Sequence, residues 1–389
     1  MARIFLKQPS FAPQMAGIYI HIPFCRRACT YCNFHFSTSL KLKDEVVTAM
    51  LREIELQQPY LAGQPIETIY FGGGTPSLLD IDDIKRIIDK ISSQWPTEQL
   101  QECTLEANPD DLTLPYLKEL KTTPINRFSI GVQSFKEADL KYMNRAHTAQ
   151  QADYAIKASQ DLGFENLSID LIYGTPGLTD ADWKYNLNQV KTLGIPHFSS
   201  YALTVEEGTA LYHSIKKKAA TPVDPDQAAG QFEILMEAAE AMGYEHYEIS
   251  NLALPHKYAI HNTNYWRGKP YLGIGPSAHS FDGRNRRWNI ANNALYAKSI
   301  LADSKLTYEE ETLTPEQQLN EYIMTSLRTQ WGCSLPKVRH TWSAEEANKL
   351  LERAQPYIDK GLLTRQGDNL VLTSRGKLFA DNIAGNLFA

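Results

Sequence analysis

The sequence predicts an α/β fold: a parallel, partly closed (β/α)6-type barrel followed by a small C-terminal α+β domain. Three observations predict it. From residue 17 to 204, apolar segments of strand length alternate with helical patterns. These segments recur at roughly 25–45 residues, a spacing that suits βα units better than hairpins. From about residue 311 the rhythm changes to two helices and a short hairpin. Periodicity alone leaves a doubly wound open sheet as the alternative to the barrel.

The strands are expected at 17–22 (GIYIHI), 68–72 (TIYFG), 102–108 (ECTLEAN), 127–133 (RFSIGVQ), 166–174 (NLSIDLIYG) and 197–204 (HFSSYALT). Helices are expected near 43–58, 80–94, 113–121, 136–161 and 179–192. Thr179 or Asp180 caps the helix that contains Trp183, and Gly163 suits the position just past a helix end. Residues 224–242 form an amphipathic helix, with Phe232, Leu235, Met236 and Ala239 at helical spacing. The stretches YEHYEIS, HNTNYWRGKPYLG and IGPSAHS read as further barrel-edge strands and loops, not as another βα pair. The barrel and its extension thus take 17–305. Residues 311–389 read as a winged-helix-like domain, with Ser343 and Glu346 as a capping box and a turn at Gly367–Asp368. Residues 315–389 hold nine Lys or Arg against eight Asp or Glu. A DNA reader needs a basic excess, so packing or partner contact is favoured and no nucleic-acid partner is expected.

The whole chain has 389 residues, 43% hydrophobic and 22% charged, and a formal net charge of −6. It is long enough for a barrel plus an appendage and apolar enough for a large core. The charge balance gives no footing to unspecific nucleic-acid binding. No apolar run of about 18 residues occurs, so no membrane-spanning helix is expected. Residues 1–16 carry Pro9 and Pro13 and lack a signal-peptide core, and read as the N-terminal arm of a cytoplasmic protein.

Of five cysteines, three fall in one loop directly after the first strand: Cys25, Cys29 and Cys32, spaced C-x3-C-x2-C. Three thiolates on one loop hold three irons of a cubane and leave the fourth iron open. A zinc site completed by His21 or His35 is the alternative, and zinc favours four protein ligands. Gly72–Gly73–Gly74–Thr75–Pro76–Ser77 follows the second strand, where glycines let the backbone approach a ligand. It matches neither a phosphate loop nor a dinucleotide fingerprint. Glu106, Gln133, Arg145 and Asp170 fall at or beyond strand ends, where the polar groups of a βα barrel converge. The carboxylates suit ribose hydroxyls or an ammonium group, and the Arg145 fork suits a carboxylate. Each of them alone also fits an ordinary surface or salt-bridge residue.

Together these motifs resemble the radical S-adenosylmethionine (SAM) superfamily. The resemblance implies a [4Fe–4S] cluster on Cys25, Cys29 and Cys32, with SAM chelating the open iron. More specifically, IHIPFC, YFGGGTPS, EANP, Gly131 to Phe135, NRAH and IDLIYG resemble the oxygen-independent coproporphyrinogen III oxidase group. By that resemblance Tyr19, Tyr31, Gly73, Gly74, Thr75, Glu106, Gln133, Arg145, Asp170 and Ala202 line the SAM site. The sequence departs from the true oxidases in two ways. Asn33 and Phe34 follow Cys32, where the oxidases have one more cysteine. The barrel also begins near residue 17, without their longer N-terminal region. Both departures fit the heme chaperone branch, HemW, whose HNxxYW motif reads here His261–Asn262–Thr263–Asn264–Tyr265–Trp266. This implies heme binding and transfer to respiratory proteins, with contact at a membrane surface although no amphipathic anchor stands out. His261 suits heme iron, or only a hydrogen bond inside the barrel. Tyr265 and Trp266 offer flat faces, and Arg267 and Lys269 suit propionates. A radical SAM oxidoreductase acting on a tetrapyrrole such as coproporphyrinogen III is the second reading.

Overall fold

A computed structural model describes residues 15–389. The N-terminal arm expected over 1–16 lies, but for its last two residues, outside the described residues. Six strands run parallel in chain order: β1 (Ala16–Ile22), β2 (Ile66–Gly73), β3 (Glu102–Ala107), β4 (Arg127–Gln133), β5 (Asn166–Tyr173) and β6 (His197–Ala202). Beyond β6 lie β8 (Asn251–Ala253) and β7 (Glu245–Glu248), both antiparallel. Beyond β1 lie β9 (Tyr271–Ile274), β10 (His279–Phe281), β11 (Asn285–Asn289) and β12 (Tyr308–Thr312). The result is one 12-stranded mixed sheet in the order β12-β11-β10-β9-β1-β2-β3-β4-β5-β6-β8-β7, an unclosed partial barrel.

Three local expectations are corrected. β9 pairs with β1 in parallel, Gly17 to Tyr271 through Ile20 to Ile274. The chain therefore adds a seventh parallel strand, led in by a helix, Ile260–Trp266, formed by the HNTNYW stretch itself. The helix expected over 136–161 is two helices, Glu137–Tyr142 and Ala149–Asp161. Asn144 adopts φ 57 between them, a left-handed conformation that ends the first helix and turns Arg145 back toward the barrel. A helix at Asn293–Asp303, capped by Asn292, has no counterpart among the expected elements.

Side-chain alternation along the strands decides where the core lies. One face of each parallel strand is apolar: Ile18, Ile20 and Ile22 on β1, Ile69 and Phe71 on β2, Phe128 and Ile130 on β4, Ile169 and Leu171 on β5, all buried. These pack with the surrounding helices into one contiguous core. The other face is polar and lines the lumen: Tyr19 and His21, Thr68 and Tyr70, Glu102 and Glu106, Arg127 and Ser129, Ser168 and Asp170, His197 and Ser199. A barrel whose interior is only packing fills it with branched apolar side chains. This one keeps a polar interior.

Residues beyond 313 build a second core around Leu319, Ile323, Leu350 and Leu370. It comprises the helix Pro315–Leu327, β13 (Cys333–Ser334), the helices Leu335–Thr341 and Ala344–Asp359, β14 (Leu363–Gln366), β15 (Asn369–Leu372) and two short terminal helices. The strands pair in the order β13-β15-β14. Ser343 caps its helix by accepting from the Glu346 amide at 3.0 Å. This region covers the β7 edge of the large sheet. The Ile249 amide donates to the Arg328 carbonyl at 3.0 Å, Arg328 pairs with the buried Glu248 at 3.2 Å, and Arg267 lies over the Trp331 ring at 4.5 Å. Among the described residues no helix is long and apolar enough to cross a membrane.

Candidate cluster and cofactor site

The cysteine loop leaves β1 and returns against it. The Cys25 amide donates to the Ser37 carbonyl at 3.0 Å, and the Ser37 amide to the Pro23 carbonyl at 2.9 Å. His21, buried at the end of β1, hydrogen-bonds through Nε2 to the His35 carbonyl at 2.9 Å, and His35 reaches Asn293 at 2.8 Å. The loop's far side is tied to the break between the two helices described above. Thr30 donates to the Met143 and Tyr142 carbonyls, Asn144 donates to Ala28 at 2.7 Å, and Arg27 donates to the Arg145 carbonyl at 3.1 Å.

Those contacts aim Arg145 at the thiols. Its Nη1 lies 3.2 Å from Cys29 Sγ, while Nη2 donates to Asn108 at 2.6 Å and to the Gly131 carbonyl at 2.8 Å. Asn108 in turn donates to Thr75 Oγ1 at 3.3 Å. Tyr31, Thr75, Arg145 and the three half-buried cysteines thus occupy one end of the lumen. Burial, helped by the neighbouring Cys32 and Cys29, pushes the Cys25 thiol up to about 11. A bound iron reverses that balance, since a coordinated thiol is held deprotonated.

The donor set fits a cubane: three thiols on one loop, with Arg145 against Cys29. Among the described residues no three His, Cys, Asp or Glu side chains converge as the shell of one metal ion. The three cysteines lie near enough to feel one another's charge.

The glycine turn after β2 is shaped by close approach. Gly73 has φ 104, and a Cβ there would meet the His21 ring at 2.6 Å. A Cβ on Gly74 would meet the Phe24 carbonyl at 2.6 Å. The Gly74 and Thr75 amides donate to the Ile22 and Phe24 carbonyls at 2.8 and 2.7 Å, stitching the turn to the cysteine loop. Beside it, Glu106 accepts from the Tyr70 hydroxyl at 2.7 Å and from the Gly73 amide. Burial raises the Glu106 carboxyl to about 7, against the pull of Tyr70 and the more distant Arg127. Burial also raises Asp170, which accepts from Ser199 and, at 3.4 Å, from Ser129. Tyr19 stacks on Tyr70 at 6.1 Å and bonds His21 Nδ1 at 3.2 Å. Gln133 ends β4 at φ 66, a costly conformation for a non-glycine residue, with its amide nitrogen turned back on Gly131. Ala202 ends β6, half-buried, paired with Tyr173.

His261 does not join this group. It lies at the opposite end of the barrel, 1% exposed. Its Nδ1 bonds Thr68 at 2.7 Å and its Nε2 bonds Tyr265 at 2.7 Å, while its ring stacks on Tyr70 at 5.0 Å. The rest of the motif is used in the same way. Asn264 and Lys269 both donate to Glu67, Arg267 lies over Trp331, and the Trp266 ring carries Arg328 at 5.4 Å. Heme contact at His261 therefore meets an obstacle in this geometry: both nitrogens are engaged and no surface reaches the ring. Two cavities near this end, about 370 and 360 Å³, are lined by Tyr60, Gln64 and Arg284 and by Asn126, Glu165 and Lys257 respectively, away from the cysteines.

One lumen residue carried no motif. Arg127 is 1% exposed, 3.8 Å from the buried Glu102 and 3.5 Å from His197. The signal was present in RFSIGVQ: a charged residue in phase with Ser129 and Gln133 on an otherwise apolar strand.

Comparison with known proteins gives the family. Residues 19–190 match the radical SAM superfamily and residues 313–379 match the HemN C-terminal domain. The chain is 33% identical to the heme chaperone HemW of Bacillus subtilis, over 95% of this chain and 98% of that one. It is 32% identical to the heme chaperone HemW of Escherichia coli, over 94% and 96% of the two chains. A mitochondrial radical S-adenosyl methionine domain-containing protein 1 of Danio rerio is 31% identical, over 84% of this chain and 75% of that one. The solved structure of the E. coli coproporphyrinogen III oxidase HemN superposes with a TM-score of 0.84, at 22% identity, over 98% and 92% of the chains, which establishes a shared fold. With two family matches along the chain and relatives above 30% identity over nearly all of it, this chain belongs to the HemW family of the radical SAM superfamily.

Proposed function

We propose that this protein is a heme chaperone that binds heme and passes it to acceptor proteins, with respiratory proteins as the acceptor class. The observation that carries the reading is the near full-length similarity to heme chaperones, at 31–34% identity across several organisms. The absence of a cysteine at Asn33 or Phe34 supports it. In this reading Cys25, Cys29 and Cys32 hold a [4Fe–4S] cluster. When bound there, a cluster would supply reducing chemistry to SAM. Arg145 fixes the cysteine loop and faces Cys29. Gly73, Gly74 and Thr75 give SAM a backbone edge. Tyr19, Tyr31, Glu106, Gln133, Asp170 and Ala202 form the remaining wall, with Glu106 and Asp170 accepting from hydroxyl or ammonium groups.

The 17–305 segment acts as the barrel of this site. The 311–389 segment is winged-helix-like and serves packing, since its contacts run to Glu248, Tyr247 and Trp266 of the barrel. The protein works in the cytoplasm and meets its acceptors at a membrane surface, without a nucleic-acid partner. The second reading, oxidation of a tetrapyrrole such as coproporphyrinogen III, draws on the shared fold with HemN. Anaerobic purification and cluster reconstitution, followed by heme titration and a CO2-release assay, decides between them. Stoichiometric heme binding without CO2 release is expected. CO2 release from coproporphyrinogen would establish the oxidase reading instead.

A further inference from the structure

A heme chaperone needs an iron ligand that heme can reach, and His261 is sealed on both nitrogens. Of the ten histidines, four are exposed: His213, His256, His279 and His340. Only His279 among these four stands on a strand of the large sheet. Register places it on the lumen side. Tyr19 pairs with Gly273, Tyr271 pairs with Phe281, and His279 pairs with Trp288. Paired residues point to one face, and steps of two keep to it. The lumen face therefore continues from β1 across β9, β10 and β11, beyond the closed part of the barrel. There it carries Tyr271, Phe281 and Trp288, all half-buried, with His279 exposed among them.

This shelf has the chemistry of a flat anionic metal macrocycle. The His279 ring lies nearly parallel to Trp288, 25° between planes and 6.0 Å between centroids. Neither His279 nitrogen has a hydrogen-bond partner among the described residues, in contrast to both nitrogens of His261. Burial and the Arg286 charge lower the His279 pKa, so the imidazole is neutral and able to bind metal near pH 7. Arg286 lies over the Phe281 ring and pairs with Glu321, offering a guanidinium to a competing carboxylate. From β9 to β11 the shelf spans roughly 10 Å at ordinary strand spacing, the width of a porphyrin core.

We propose that His279 is the iron ligand of bound heme, with the macrocycle on the β9–β11 shelf and a propionate at Arg286. The proposal rests on the heme-chaperone reading and goes beyond it by placing the heme away from the HNTNYW helix. The test is hemin titration of the full-length, cluster-reconstituted protein, read by the Soret band and by low-temperature EPR. His279→Ala should weaken binding about tenfold or more, equivalent to 1.4 kcal/mol, and remove the imidazole signature. His279→Met should keep a ligand and shift the spectrum. His261→Ala should leave the spectrum unchanged while lowering thermal stability. Trp288→Phe should reduce the quenching of tryptophan fluorescence by heme. Iron, sulfide and SAM binding report whether each variant is folded, and the Met variant serves if the Ala variant is not. Wild-type spectra and affinity in both His279 variants would overturn the site and leave the chaperone reading standing. Failure of the unaltered protein to bind hemin would overturn both.

Discussion

The two ends of the barrel use the same residue types for opposite purposes. At the floor, where the strands begin, the charged side chains are buried against one another, with the Arg127 Nε left without a hydrogen-bond partner among the described residues there. Glu102 accepts from the Ile260 and His261 amides at 2.8 and 3.0 Å and faces Arg127, while His197 is held between Ser168 and Tyr247 at 2.6 and 2.7 Å. At the mouth, where the strands end, polar groups remain open to solvent. Glu106, Asp170, Tyr31 and Arg145 are all half-buried, and the backbone is held in left-handed conformations at Gly73, Gln133 and Asn144. A buried donor or acceptor already paired adds rigidity, whereas one aimed into an open space is available to a ligand. The difference teaches that residue type alone does not mark a site: His261 reads as a heme ligand in sequence, yet with Glu102 it acts as the plug.

Serine substitutions give the strongest test of this division. Replacing Cys25, Cys29 or Cys32 should bring iron and acid-labile sulfide close to zero after reconstitution, whereas Cys103→Ser and Cys333→Ser should retain both. Full cluster content in any of the first three would remove the mouth as the cluster site. At the floor, Glu102→Ala should cost about 3–5 kcal/mol in urea unfolding, because it strands the buried Arg127 guanidinium and two helix amides. A loss below about 1 kcal/mol would mean that the floor is not held by this carboxylate.

The same contrast explains how much the sequence disclosed. The six parallel strands and the cysteine loop were legible because apolar alternation and C-x3-C-x2-C are local signals. Of the polar inner face, Tyr19, Glu106 and Asp170 were legible through the motifs that carry them, whereas Thr68 and Arg127 carry no motif. β9 was not legible. Four residues carry no period, and its parallel pairing depends on β1, more than 250 residues earlier in the chain. The break at Asn144 was hidden because both flanking segments have helical patterns and only the backbone turn separates them. His261 was misleading for another reason: an imidazole beside Tyr and Trp fits a cofactor as well as it fits a plug, and only its partners decide.

Glu106→Gln tests the mouth more gently. With the carboxyl raised to about 7, its ionised fraction grows tenfold per pH unit below that value. SAM carries cationic groups, so its affinity should rise by up to about tenfold between pH 6 and 8 and level off above. Stability runs the other way. A carboxyl raised above its unfolded value of about 4.5 favours the fold while protonated, and that contribution is lost as pH rises through about 7. The glutamine variant should flatten both slopes. Isothermal titration with SAM across this range checks it, and an unchanged slope in the variant would assign the titration to another group.

The smallest expected effect comes from a residue that joins the two ends. Tyr70 stacks on the sealed His261 ring with its face and donates to Glu106 with its hydroxyl, at 2.7 Å. Tyr70→Phe keeps the stack and removes the donor. Stability should change by about 1 kcal/mol or less, the net worth of one hydrogen bond. The carboxyl, however, loses a partner that favours its charged form, so the midpoint of SAM binding should move to higher pH by a fraction of a unit. If Tyr70 were only packing, the pH midpoint would stay in place. If floor and mouth were a single cooperative network, the variant would instead loosen the His261 plug, and the exchange of the Ile260 and His261 amides with solvent would rise. A shifted midpoint with unchanged amide protection is the outcome that keeps the two ends distinct.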